Sequence, residues 1–159
     1  MSSVDQPAAE RQQPAAAPPA AAPPVGTPDG APALDQPFDT DALFTLRSAV
    51  AAHAADLGAG HTVDDAVLVA HELASNAVRH GGGVGRLRLW RSGDRLVCQV
   101  SDSGSGLSDP EHAGIGRPAP AVPGGRGLWI ARQLSEVHIR TGPDGTTITA
   151  ALPVTRPPT

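Results

Sequence analysis

The chain has 159 residues, a formal net charge of −4 and only 3% aromatic residues. That length fits one domain with chain to spare. The acidic balance argues against nucleic acid as the main ligand, and the scarcity of aromatics removes base-stacking platforms. The single cysteine, Cys98, excludes an internal disulfide and fits a reducing, cytoplasmic compartment.

Nine of the 17 prolines precede Phe38, in a run of Ala, Pro, Gln and Gly with almost no large apolar side chain. Residues 1–32 are therefore expected to form a disordered tail, because so little apolar surface cannot offset the entropy lost on ordering. The N-terminus lacks the basic region and apolar run of a signal peptide. No stretch is long and apolar enough to cross a bilayer. The folded domain is expected over residues 33–153, followed by a short tail, 154–159.

Leu34 to Phe38 reads as a short strand, at an edge because Pro37 has no N–H to give a ladder. Asp39 or Thr40 then caps a helix whose buried stripe is Leu43, Leu46, Val50, Ala54 and Leu57, with Gly58 past its end. His53 is expected on the exposed side of that helix.

Val63 to Gly82 carries the chain's most informative pattern. Thr62 is expected as N-cap, with Asp65 three residues on, and Ala66, Val69, Ala70, Leu73, Ala77 and Val78 form an apolar stripe that ends at Gly81. Glu72 and Asn76 are four residues apart and so project from one face, followed by Arg79 and His80. An Asn carbonyl suits a magnesium ion that keeps water and phosphate ligands, and a Glu can take a proton from an attacking hydroxyl. A solvated helix face would show the same short pattern, so this helix alone does not decide.

Arg86 to Arg91 and Leu96 to Asp102 alternate about Ser92-Gly93-Asp94, which predicts a hairpin. In the second strand Leu96, Cys98, Val100 and Asp102 share one face. Asp102 is the only charged member of that row, and a charge placed there asks for a partner. In the DSGSG run that follows, Gly104 and Gly106 let the backbone approach a flat ligand, and the Asp102 carboxylate can accept a hydrogen bond from an exocyclic amine, which suits adenine. A strand end followed by a Gly/Ser turn is the plainer reading of the same five residues.

Leu107 to Pro123 is long for a connection within a domain and suits a lid. Gly124, Gly125, Arg126 and Gly127 open a helix expected over Leu128 to about Ser135. Such a junction presents free amides and a positive dipole end to anions, and Arg126 adds a guanidinium fork, although it also serves as an ordinary loop-to-helix step. Trp129 is expected to pack. Val137 to Thr141 and Thr146 to Leu152 form a second expected hairpin, with Thr146 facing the helices and its hydroxyl beside Asp102.

Taken in order, HELASNAVRHGG, DSGSG, GGRGLWIA and GTTITAALP resemble the nucleotide-binding fold of the GHKL superfamily, which includes gyrase B, Hsp90, histidine kinases and MutL. The resemblance is closest to the stand-alone anti-sigma-factor serine/threonine kinases and covers Phe38 to Pro153. It implies an α+β, two-layer sandwich of the Bergerat type, with helices on one face of a mixed, mainly antiparallel sheet.

The same resemblance implies ATP and Mg2+ as cofactors, with Asn76 holding the metal and Glu72 as general base. Arg79 and His80 would lie near the phosphates, Asp102 at the adenine amine, and Gly104 and Gly106 in the adenine pocket. Gly125, Arg126 and Gly127 would form the phosphate end of the lid, and Thr146 would back the adenine through water. The implied partner is an anti-sigma-antagonist protein of the STAS type, with a sigma factor as a further candidate and a homodimer allowed; neither nucleic acid nor membrane is expected. Met1 to Phe38 cannot supply the dimerising hairpin of a sensor histidine kinase, so a protein kinase acting on a separate partner is the favoured member. A non-catalytic ATP-binding regulator and a detached catalytic half of a histidine kinase are the alternatives.

Overall fold

A computed structural model describes residues 31–106, 113–115 and 126–154. Residues 1–30 of the expected N-terminal tail, 155–159 of the expected C-terminal tail, residues 107–112 and 116–123 of the expected lid, and Gly124 and Gly125 lie outside the described residues. The chain runs β1 (Leu34–Asp39), α1 (Leu43–Asp56), α2 (Val63–His80), β2 (Val84–Ser92), β3 (Arg95–Asp102), α3 (Arg126–Leu134), β4 (Glu136–Gly142) and β5 (Gly145–Pro153). The five strands form one sheet in the order β1-β2-β3-β5-β4, and each of its pairings is antiparallel. This is the expected two-layer α+β sandwich; the parallel pairing that a mixed sheet allows is absent among the described strands.

The strand alternation separates two faces. On the inner face Leu34 and Phe38, Leu87 and Leu89, Leu96, Cys98 and Val100, and Ile148, Ala150 and Leu152 join one core with Leu46, Val50 and Ala54 of α1 and with Val69, Leu73 and Ala77 of α2. Leu46, Leu73, Leu87, Leu89, Leu96 and Leu152 are each at most 1% exposed. Burial on that scale contributes about 1.5–3 kcal/mol per side chain relative to exposure. Pro37 fits because β1 has only β2 beside it, so one side of its backbone needs no partner.

Two helix starts depart from simple capping. Asp39 caps a short 3-10 turn, Thr40–Ala42, by accepting from the Ala42 amide at 3.0 Å, and α1 follows from that turn. Thr62 does not cap α2: it ends a preceding 3-10 turn in helical conformation, and its hydroxyl donates instead to the Pro153 carbonyl at 2.8 Å. The expected cap is thus a tether between the start of α2 and the end of β5. His53 is half-buried, with Nδ1 bonded to the Ala49 carbonyl at 2.8 Å, so its side is less open than expected.

Gly58 at the end of α1 has φ +78°, as a left-handed stop requires. The fold also buries Cys98 completely, and that burial pushes its thiol pKa up to about 12. Among the described residues no helix is long and apolar enough to cross a membrane.

Candidate functional site

The C-terminal half of α2, the end of β3, the β4–β5 turn and the start of α3 meet at one end of the sheet. Asp102 is the last residue of β3, in register with Thr146 of β5. Its Oδ1 accepts from the Gly104 amide at 2.9 Å and the Thr146 amide at 3.3 Å. Two backbone donors therefore fix the carboxylate and leave Oδ2 without a hydrogen bond among the described residues. The expected neighbour is present, but the Thr146 backbone makes the contact. Its hydroxyl pairs with Thr141 Oγ1 at 2.8 Å and lies buried.

Three glycines let the segments around Asp102 close up. A Cβ on Gly81 would sit 2.5 Å from Asp102 Oδ2 and closer still to Cγ, and one on Gly145 would run into the Asp102 carbonyl. A Cβ on Gly104 would lie 2.6 Å from the Gly81 Cα and 2.9 Å from the His80 carbonyl oxygen. Real side chains do not tolerate such approaches, so the helix end, the strand end and the hairpin turn converge only because these positions are glycine. Gly106, with φ +96°, rests in the same way against Gly142 and Thr141. Gly81 and Gly145 were not expected at the site from sequence. The one signal for Gly81 was a run of three glycines where a single one suffices to stop a helix.

The other end of α2 meets α3. A Cβ on Gly127 would lie 3.1 Å from Glu72 Oε2, so the first turn of α3 rests directly on that carboxylate. Asn76 follows one turn along and is 6% exposed, and its amide makes no hydrogen bond among the described residues. That amide is not among the enclosed atoms without a partner, so the residue is largely covered while its head group stays open to solvent or a ligand. Arg79 lies a further turn along the same side and is exposed, as is Arg126. His80 is exposed too, but its backbone is at the Gly104 end, so the fold places it with the acidic strand terminus and not with Gly127. Gly125 lies outside the described residues.

From Glu72 to Gly81 the helix advances nine residues, about 14 Å at 1.5 Å per residue. One end offers a free carboxylate oxygen in a glycine cradle. The other offers an unpartnered amide, a carboxylate and the N-terminus of α3, where backbone N–H groups and the helix dipole favour anions. The first suits an adenine amine and the second a polyphosphate. Among the described residues no three His, Cys, Asp or Glu side chains form a metal cage, so a magnesium ion at Asn76 would complete its shell from water and phosphate oxygens.

The connection between β3 and α3 is pinned where it is described. Arg132 Nε donates to the Ala113 carbonyl at 2.7 Å, and Gly114, with φ +77°, packs so closely on Leu128 that a Cβ would overlap it. A cavity of about 620 Å³ adjoins Asp102 and Ser103 on the β1–β2 side, lined also by Phe38, Asp39, Val84 and Arg86. It shares Asp102 with the site but neither Asn76 nor Glu72, and so is a separate hollow beside it.

Fold and site together define an α+β domain whose candidate site lies between a helix and the end of an antiparallel sheet, with groups suited to a nucleotide. The chain belongs to the histidine kinase-like ATPase domain family, whose profile matches residues 37–152. It is 39% identical to the circadian input-output histidine kinase CikA of Synechococcus elongatus across 42% of this chain and 10% of that protein. Among solved structures it resembles the histidine kinase domain of the Erythrobacter litoralis EL346 blue-light activated histidine kinase. There the identity is 22% and the TM-score 0.44, over 58% of this chain and 48% of that one. The chain thus spans about a tenth of the full-length kinase it matches and about half of the solved domain.

Proposed function

We propose that this domain binds ATP with Mg2+ and acts as an anti-sigma-factor-type serine/threonine protein kinase, phosphorylating a Ser or Thr of a separate anti-sigma-antagonist protein of the STAS type. A sigma factor is the second protein partner this reading admits. The observation that carries the proposal is the pairing, on one face of α2, of Glu72 against Gly127 with an Asn76 one turn away whose accessible amide makes no hydrogen bond among the described residues.

ATP supplies the phosphoryl group and Mg2+ offsets the charge on its oxygens. The chain's own residues hold and polarise. Asp102 Oδ2 accepts from the purine amine while Oδ1 stays tied to two backbone amides. Asn76 would hold the metal through its carbonyl, and Arg126 and the α3 N-terminus would hold the phosphates. Glu72 receives the proton of the acceptor hydroxyl.

The test is transfer of labelled γ-phosphate to the cognate antagonist by the wild type and by Glu72→Gln. Wild type should label it; the variant should bind ATP as tightly and label it at least a hundredfold more slowly, as loss of a general base implies. If both bind nucleotide and neither labels the antagonist, the domain is a non-catalytic ATP-binding regulator and the kinase assignment is wrong. The match to a histidine kinase favours a second reading, transfer to a histidine on another protein. Product that is lost in acid would select that reading, since phosphoserine survives acid and phosphohistidine does not.

A further inference from the structure

The sheet's outer face is buried where the described helices do not reach it. Trp90, Val97 and Ala151 lie side by side across β2, β3 and β5 and are 5%, 0% and 0% exposed, yet none belongs to the core that the three helices share with the inner face. One step along the strands, Thr149 is 2% exposed and accepts from Gln99, and His138 of β4 is its register partner. Two enclosed polar atoms on this face have no hydrogen-bond partner among the described residues, Trp90 Nε1 and His138 Nε2. Buried polar atoms of this kind are ordinarily satisfied; the Trp90 indole N–H asks for an acceptor, and His138 Nε2 asks for one in the tautomer that carries its proton there.

We propose that the Pro/Ala-rich segment of this same chain, residues 14–28, lies across the outer face, its carbonyls accepting from the Trp90 indole and the His138 imidazole. Six of those fifteen residues are proline. Proline has no N–H, so such a segment brings acceptors without donors, and its extended form docks on exposed aromatic rings at little further entropic cost.

The exit point fits. Leu34 pairs with Leu89, so the chain preceding β1 leaves the sheet level with Trp90. From β1 to β4 is four strand spacings, about 19 Å, whereas fifteen residues of polyproline helix extend about 46 Å. Charge does not oppose it: residues 14–28 carry no charged side chain. Residues 155–159 reach only about 16 Å at full extension and carry an arginine, and the β3–α3 connection leaves from the Asp102 end of the sheet, so neither suits the position as well.

The experiment uses the full chain. Cys98 is buried and its thiol stays protonated, so a cysteine introduced by Ala20→Cys is the only one a spin label modifies in the native protein. The Trp90 indole resonance, assigned with Trp129→Phe, should lose more than half its intensity to that label. The Trp129 indole, on the helical layer, should keep its own. In unlabelled Trp129→Phe protein, replacing Pro18, Pro19, Pro23 and Pro24 by Ser should at least double acrylamide quenching of Trp90. Any of three results overturns the proposal: no broadening with quenching unchanged; broadening only between a labelled and an unlabelled copy, which assigns the face to a second chain; or broadening from a label at Thr159→Cys alone.

Discussion

Gly81→Ala tests the cradle around Asp102 with a single methyl group. Gly81 has φ −110°, a backbone that alanine adopts freely, so no conformational strain enters. The new Cβ would lie 2.5 Å from Asp102 Oδ2 and 2.6 Å from the Ala77 carbonyl, and the carboxylate is the part able to move. Overpacking of this kind costs about 1–3 kcal/mol of stability. Displacing the carboxylate also removes its aim at the purine amine, a charged hydrogen bond worth roughly 1.5–3 kcal/mol, or about a ten- to hundredfold loss in ATP affinity. Calorimetric titration with ATP, beside thermal denaturation without nucleotide, separates the two effects. Gly82→Ala is the control. Gly82 has φ +93° and open space at Cβ, so that variant should lose about 1–2 kcal/mol of stability and keep its affinity. If Gly81→Ala binds ATP as tightly as wild type, Asp102 is not the purine contact and the reasoning fails.

Three further outcomes follow from the same geometry. Asp102→Asn should fold normally, because an amide oxygen still accepts from Gly104 and Thr146, but it presents a donor to the adenine amine; ATP affinity should fall about tenfold or more while inosine triphosphate, which has an acceptor there, loses less. Thr62→Val removes the hydroxyl tether to Pro153 and should cost roughly 1 kcal/mol in chemical denaturation with ATP affinity unchanged. Cys98 should resist a thiol reagent at pH 8, since its pKa of about 12 and full burial leave almost no thiolate, and should react fully in denaturant. Native reactivity matching that of the unfolded chain would contradict its placement.

The elements were legible because local patterns set them. α2 buries the stripe its spacing announces, and both hairpins turn on two residues within the Gly- and Asp-containing runs expected to turn them. What escaped the sequence is non-local. Thr62 has the chemistry of a cap, but the preceding 3-10 turn holds it helical and the nearest acceptor is Pro153, 91 residues away. The contacts that fix Asp102 come from three separate segments, and neither Gly81 nor Gly145 shows from its own neighbours that the Asp102 carboxylate will press on the first and the Asp102 backbone on the second. A sign of the buried outer face was present in the adjacent apolar pairs Leu89-Trp90 and Leu96-Val97. A strand with one solvated face has no use for the second member of such a pair.

The account rests on a nucleotide held between Asp102 and the Glu72–Asn76 face of α2. Titration of the full chain with ATP, with Mg2+ and then with the metal chelated, tests this most directly. The account predicts saturable one-to-one binding that weakens about tenfold or more without Mg2+, a dependence that Asn76→Ala should abolish while metal-free binding persists. A chain that binds no ATP in either condition, or binds it with equal affinity in both, would contradict it.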